Sequence, residues 1–366
     1  MMKKRIAIIG AGMAGIAAAR TLIKAGHDVQ VFEKSAGPGG RMATQNTPFG
    51  SFDKGAQYFT VRDARFAKAL KEVPGTQAIV KPWSATGVRV LDAHGAVFEA
   101  AKPPKDPHFV AQPGMNALLM HWAQPLVAHQ QLHIHTTIES IEVDAIHPSL
   151  WQLRAQSAPT TTGHTQSNNL SQEGVIHSGF DQVILAIPSA QAAQLLRRSS
   201  AKVHKTHFIQ AIDKVEMGPC WTLMMAYPQA SQPNLNRWGP QWNCARSIHH
   251  RIAWLSRESS KPARGGIERW TVQASTEWSL EHLEDSDERV KAKLLKGFAE
   301  LTGIYAEPSF SQLHRWRYAK TLSPLGQSYQ WNAKLGLGTC GDWHIGHRVE
   351  DAFVSGIALA LEMLKP

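Results

Sequence analysis

Arg5-Ile6-Ala7-Ile8-Ile9-Gly10-Ala11-Gly12-Met13-Ala14-Gly15-Ile16-Ala17-Ala18-Ala19 decides the fold of this 366-residue chain. The apolar, β-branched residues 6–9 read as a strand, and the alanine-rich run that follows reads as a helix ending at Gly26, a glycine C-cap. Between them stands a GxGxxG. Gly10 lets the strand turn sharply, Gly12 lets backbone N–H groups approach a pyrophosphate, and Gly15 lets the helix pack close to the strand. The helix N-terminus, with Met13 and Ala14 in its first turn, then stabilises phosphate charge through free N–H groups and its dipole.

A GxGxxG alone is weak evidence, so its context decides. His27-Asp28-Val29-Gln30-Val31-Phe32 alternates like a second strand, and Glu33 closes it about twenty residues past the turn. A carboxylate there accepts hydrogen bonds from a ribose diol and disfavours a 2′-phosphate. The first half of a dinucleotide-binding βαβ unit is therefore expected. Met1-Met2-Lys3-Lys4-Arg5 followed by an apolar run also fits a secretory signal. Cleavage there would remove the phosphate turn, so the signal reading is rejected. No other stretch is apolar for the roughly twenty residues that a membrane span needs.

Composition bounds the rest. The length calls for two domains, or one with a large insertion. A hydrophobic content of 43% with 19% charged residues describes a globular protein. Cys220, Cys244 and Cys340 are far apart, which suits a reducing cytoplasm. His249-His250 and the pair His344 and His347 lack acidic or cysteine partners nearby, so no metal is expected. The net charge of +10 favours an anionic small-molecule ligand. Its Lys and Arg residues are scattered, which argues against nucleic acid. Twelve tryptophans, among them Trp221, Trp238, Trp254, Trp270, Trp278, Trp316 and Trp343, offer ring surfaces, with core packing the default for most. No signal fixes an oligomeric state.

The residues after Glu33 separate a flavin from a nicotinamide ligand. Lys34 leads into Gly37-Pro38-Gly39-Gly40-Arg41, where more backbone N–H groups and a guanidinium meet a ligand. Asp53-Lys54-Gly55-Ala56 is tight enough to pass along an isoalloxazine ring, and Gln57-Tyr58-Phe59-Thr60 follow beside it. This order of motifs resembles the FAD-dependent amine oxidase superfamily, and Gln57-Tyr58-Phe59-Thr60, residues 113–116, 254–262, 274–279 and 315–319 resemble its renalase-like branch. The resemblance implies non-covalent FAD and a Rossmann-like, glutathione-reductase-like α/β domain. A discontinuous α+β substrate domain on a mainly antiparallel sheet accompanies it. It also implies roles for Asp342 at the ribityl or phosphate region, for Arg348 and Val349 at the flavin pyrimidine edge, and for Ile138 on the adenine. Residues 1–68, 112–198 and 326–366 are expected in the FAD domain, and residues 69–111 and 199–325 in the substrate domain. The polar segment 155–179 reads as a hairpin insertion.

The resemblance further implies oxidation of 2- and 6-dihydro isomers of NAD(P)H, with hydride transfer to flavin N5 and reoxidation by O2 to hydrogen peroxide. Such a donor is anionic, and it becomes an aromatic cation without a catalytic base. No acid–base pair or Ser/His/Asp grouping stands out in the chain, as that chemistry allows. The substrate face is expected at Gln57, Tyr58, Phe59, Thr60, Arg246, Arg257 and Trp278. An amine oxidase, a related desaturase and a non-catalytic FAD-binding protein are the alternatives.

Overall fold

The computed structural model describes residues 2–83, 89–99, 106–156, 174–231 and 242–365. Trp238 and most of the expected insertion lie outside the described residues.

Residues 6–9 form the strand Arg5–Ile9 at the centre of a six-stranded sheet. The order is Gln330–Asn332, Leu337–Thr339, Gln182–Leu185, Arg5–Ile9, Asp28–Phe32, Leu132–His133, with every pair parallel except the first. Parallel strands buried on both faces need continuous apolar runs, and Ile6, Ala7 and Ile8 are fully buried. Ile6 and Ile8 pack with the helices Met13–Lys24 and Val349–Met363. Ala7 and Ile9 pack on the opposite face against Ile141, Trp151 and Leu153 of a three-stranded sheet and against the helix Ser189–Arg198. That small sheet uses Ile138–Val143, Trp151–Ala155 and Val175–Phe180, the last being a strand where the sequence reads insertion.

A mixed seven-stranded sheet builds the second half. Its order is Phe310–Ser323, Glu216–Tyr227, Glu268–Ala274, Ile252–Arg257, Cys244–Ser247, Arg89–Leu91, Val97–Glu99. Only the Cys244–Ser247/Arg89–Leu91 pair is parallel. The helix Asp287–Thr302 seals one face through Val290, Leu294, Phe298 and Leu301 on Trp221, Trp270 and Val272. Ser286 caps its first turn by accepting from the Arg289 N–H, and Gly303 ends it in the left-handed region. Trp221, Trp270, Trp278 and Trp343 are core residues, as the default has it. No described helix is long and apolar enough to cross a membrane.

Candidate active site

The two halves enclose a cavity of about 1500 Å³. Ligand pockets typically span roughly 300–1,000 Å³, so this one has room for an extended cofactor and a second molecule. It opens where the parallel strands end, at Ile9, Glu33 and Ala186, the usual ligand crevice of a doubly wound sheet.

Its nucleotide end is built by the glycine turn. Gly10 sits at φ +106°, where an added Cβ would lie 2.6 Å from the Ala186 carbonyl oxygen, so only glycine fits. Gly12 is the N-cap of Met13–Lys24 and contributes no side-chain cap, while an added Cβ there would meet nothing within 4 Å. The first-turn N–H groups therefore face open space on the cavity wall, the arrangement that receives an anion. Gly356 of the C-terminal helix lets that helix cross close behind, since a Cβ on it would be 2.2 Å from the Ala14 carbonyl oxygen. Glu33 is buried, and its Oε2 and Oε1 accept from the Ala11 and Ser35 N–H groups, each at 2.8 Å. Those bonds fix the carboxylate at the strand end beside Thr136, Thr137 and Ile138.

The middle of the cavity is crossed by a bidentate ion pair. Arg41 Nη1 and Nη2 donate to Asp342 Oδ2 and Oδ1 at 2.7 and 2.5 Å. The pair joins the N-terminal glycine loop to the turn at Asp342, beside His347, Arg348 and Val349 at the start of the C-terminal helix. Of the two first-turn acids, Glu350 accepts from the Arg62 and Asp63 N–H groups, and Asp351 accepts from the Arg348 N–H in a capping box at the helix start.

The far wall carries aromatic rings and cations. Trp254, Gln273, His314, Trp316, Tyr318 and Lys320 line it beside Lys54, Gly55 and Ala56, and Gln273 Nε2 donates to the Gly55 carbonyl at 2.7 Å. Trp316 Nε1 donates to the Lys54 carbonyl at 2.8 Å, and the His314 and Trp316 rings meet edge-on at 4.4 Å. Burial lowers the Lys54 ammonium from its ordinary pKa. Burial, aided by the Lys54 charge, lowers His314 to about 4. His347 is lowered by burial and then by Lys320. Among the described lining residues the carboxylates are Glu33, Glu139 and Asp342; Asp342 accepts from Thr321 Oγ1 of the strand Phe310–Ser323 and is already paired with Arg41.

Residues 160–364 match the model of the flavin containing amine oxidoreductases, more than half of the chain. The chain belongs to this family. Residues 8–73 match an NAD(P)-binding Rossmann-like domain. Solved structures agree on the fold. A provisionally named protoporphyrinogen oxidase of Exiguobacterium sp. 255-15 aligns over 99% of both chains at 13% identity with a TM-score of 0.72. Cyclohexylamine oxidase from Brevibacterium oxydans IH-35A aligns over 100% of both chains at 13% identity with a TM-score of 0.67. A zeta-carotene-forming phytoene desaturase of Myxococcus xanthus is 60% identical over 38 residues, 10% of this chain and 7% of that protein. The family implies a flavin, and the cavity fits one through the open cradle at Gly12.

The structure brings most of the expected cofactor residues to the cavity lining: Gly10, Gly12, Met13, Ala14, Glu33, Lys34, Gly40, Arg41, Gly55, Ala56, Ile138, Asp342, Arg348 and Val349. Gly15 lies behind them, where a Cβ would be 2.0 Å from the Gly10 carbonyl oxygen. None of the seven residues of the expected substrate face is on the cavity lining, although the Tyr58 ring lies 5.6 Å from that of the lining residue Trp254, with which Arg246 pairs across the sheet. Gln57 is buried and turned away, its amide donating to the Asp53 and Gly55 carbonyls. Phe59 is core, packed on Phe66 and Phe109. Tyr58 stacks on His108 at 4.0 Å, and Thr60 lies beyond it along the chain. Arg246 is exposed on Cys244–Ser247. Arg257 is paired with Glu268 Oε1 at 2.6 Å and lies over Trp270. Trp278 is buried against His282. The sequence offered Trp316 as one ring surface among many and gave Lys54, His314, Tyr318 and Lys320 no site role. The strand residues among them lie in a run, residues 314–320, all of which line the cavity where the register of Phe310–Ser323 is irregular, so alternation along the sequence does not mark them.

Proposed function

We propose that the protein is an FAD-dependent oxidoreductase of the renalase-like type, oxidising 2- and 6-dihydro isomers of NAD(P)H with O2 as acceptor. When bound, FAD supplies a hydride acceptor at N5 and a route for two electrons to oxygen. Residues 1–68, 112–198 and 326–366 would hold it, and residues 69–111 and 199–325 would bring the substrate. The open N-terminus of Met13–Lys24 binds the pyrophosphate, Glu33 accepts from the adenosine ribose, and Ile138 packs on the adenine. Asp342, with Arg41, would hold the ribityl or phosphate region, and the C-terminal helix start at Val349 would stabilise negative charge at the pyrimidine edge. No covalent attachment is called for: burial pushes the Cys340 thiol up to about 12, and the thiolate is the reactive form.

One observation carries the substrate class. The far wall presents Lys54 and Lys320, and the carboxylate bonded to its strand, Asp342, is already neutralised by Arg41. An anionic dinucleotide is attracted to such a wall, whereas a protonated amine finds no counter-charge there. Hydride donation from a dihydronicotinamide leaves an aromatic cation and needs no base. His314, neutral near pH 7, then serves with Trp316 and Trp254 as a stacking surface that orients the donor. The test is anaerobic mixing of the flavin-loaded protein with 2- or 6-dihydroNAD, NADH and a panel of amines. Bleaching by the isomers within seconds is expected. Bleaching by amines alone would make the protein an amine oxidase, and no bleaching at all would favour a non-catalytic flavin.

A further inference from the structure

Behind the wall formed by residues 54–56 lies a buried cluster of four charges that the chemistry above does not use. Lys261 Nζ is 2.9 Å from both Asp53 Oδ2 and Glu258 Oε1. Arg264 Nη1 is 2.5 Å from Asp53 Oδ2 and 2.8 Å from Glu258 Oε2. All four side chains are 0–1% exposed. Each cation bridges both carboxylates, so the cluster is neutral as a whole.

Its remaining bonds reach every segment that meets at the flavin wall. Asp53 Oδ1 accepts from the Met115 N–H and the Thr44 hydroxyl. Arg264 Nη2 donates to the Ala111 carbonyl, and Thr271 Oγ1 donates to Glu258. Gln57 Oε1 accepts from Lys261 at 3.2 Å. Asp53 and Gln57 thus face the cluster, while Lys54, Gly55 and Ala56 between them face the cavity. The cavity side has no slack. The Ala56 N–H donates to the Arg41 carbonyl at 2.8 Å, and a Cβ on Gly55 would lie 2.0 Å from that oxygen.

A buried ion cluster is seldom justified by stability, since apolar residues of equal volume often do as well or better. Fixing a register is its best-attested use. We propose that Asp53, Glu258, Lys261 and Arg264 form a neutral lock. It sets residues 54–56 against the flavin ring, its own four charges cancelling. The four are positioning residues, and the proposal rests on the flavin reading above.

Charge at this depth is poorly screened, so the sign of an imbalance is felt by a nearby ring. Glu258→Gln leaves the cluster one charge positive, and the midpoint potential of the bound flavin rises. Lys261→Met leaves it one charge negative, and the potential falls. The double variant is neutral again and returns to the parent value. The measurement is a dye-coupled reduction titration of the full-length, flavin-loaded protein, with the visible spectrum as a second readout. Shifts of one sign in both single variants, or a double variant displaced further than either, would overturn the lock. Where Lys261→Met alone does not fold, Glu258→Gln must still lie above the parent and the double variant must match it. A yellow parent whose variants all share one potential refutes the lock alone. A parent that takes up no flavin refutes the reading beneath it as well.

Discussion

Gly12→Ala separates folding from cofactor binding. Gly12 has φ −78° and ψ −175°, an extended conformation open to any residue. An added Cβ meets no protein atom within 4 Å and projects into the space beside the free N–H groups. Reduced freedom of the unfolded chain favours alanine by about 0.4–1 kcal/mol. Alanine is a poorer N-cap than glycine, by a similar amount in the opposite direction. Stability without cofactor therefore stays within about 1 kcal/mol of the parent. The bound state differs, because the methyl occupies the path by which a pyrophosphate approaches the backbone. Overpacking of one such group costs about 1–3 kcal/mol, so flavin affinity falls roughly 5- to 150-fold. Fluorescence titration of the apoprotein with FAD measures the affinity, and thermal melts with and without FAD measure stability. Gly15→Ala is the contrasting control. Its Cβ would lie 2.0 Å from the Gly10 carbonyl oxygen, so stability and affinity both fall. A Gly12→Ala protein with parental flavin affinity, or one destabilised without flavin, would refute the reasoning.

Three further outcomes are expected. Glu33→Gln replaces the carboxylate that would accept from the adenosine ribose by a neutral amide; losing that charge-assisted bond, at roughly 1.5–3 kcal/mol, lowers affinity for FAD about 10- to 150-fold, read by the same titration. Lys54→Met removes a cation from the far wall; the KM for an anionic dihydronicotinamide rises several-fold while the flavin content stays constant, and an unchanged KM would remove Lys54 from substrate recognition. His344 is fully buried, and burial lowers it to about 3, below the ordinary 6.5 of the unfolded chain. Between those values the unfolded state binds the extra proton, so stability is present above pH 6.5 and is lost as pH falls toward 3. The loss is on the order of 1 kcal/mol per pH unit, and melting curves from pH 7 to pH 5 flatten in a His344→Asn variant.

The nucleotide end of the site was legible because its parts are contiguous. Strand, glycine turn, helix and Glu33 lie within residues 5–33, and each acts through its own backbone geometry, so spacing alone assigns them. Residues 39–41 and 53–56 extended that reading because small residues mark close backbone approach wherever they stand. The far wall was not legible in the same way. Gln57 and Phe59 look like neighbours of Ala56 along the chain, yet alternation turns the Gln57 side chain toward Lys261, and the strap then leaves the cavity to pair Phe59 with Phe109.

What the sequence by itself determined was a strand, glycine turn and helix with Glu33 closing the next strand, and a tight small-residue segment at 53–56, whose ligand roles belong to the proposed function. Only the tertiary structure decided what that segment meets. Lys54 and His314, or Asp53 and Arg264, are separated by hundreds of residues and meet only where the two sheets come together. Contacts of that range depend on how sheets stack and on which face of each strand is buried, and no local spacing encodes them.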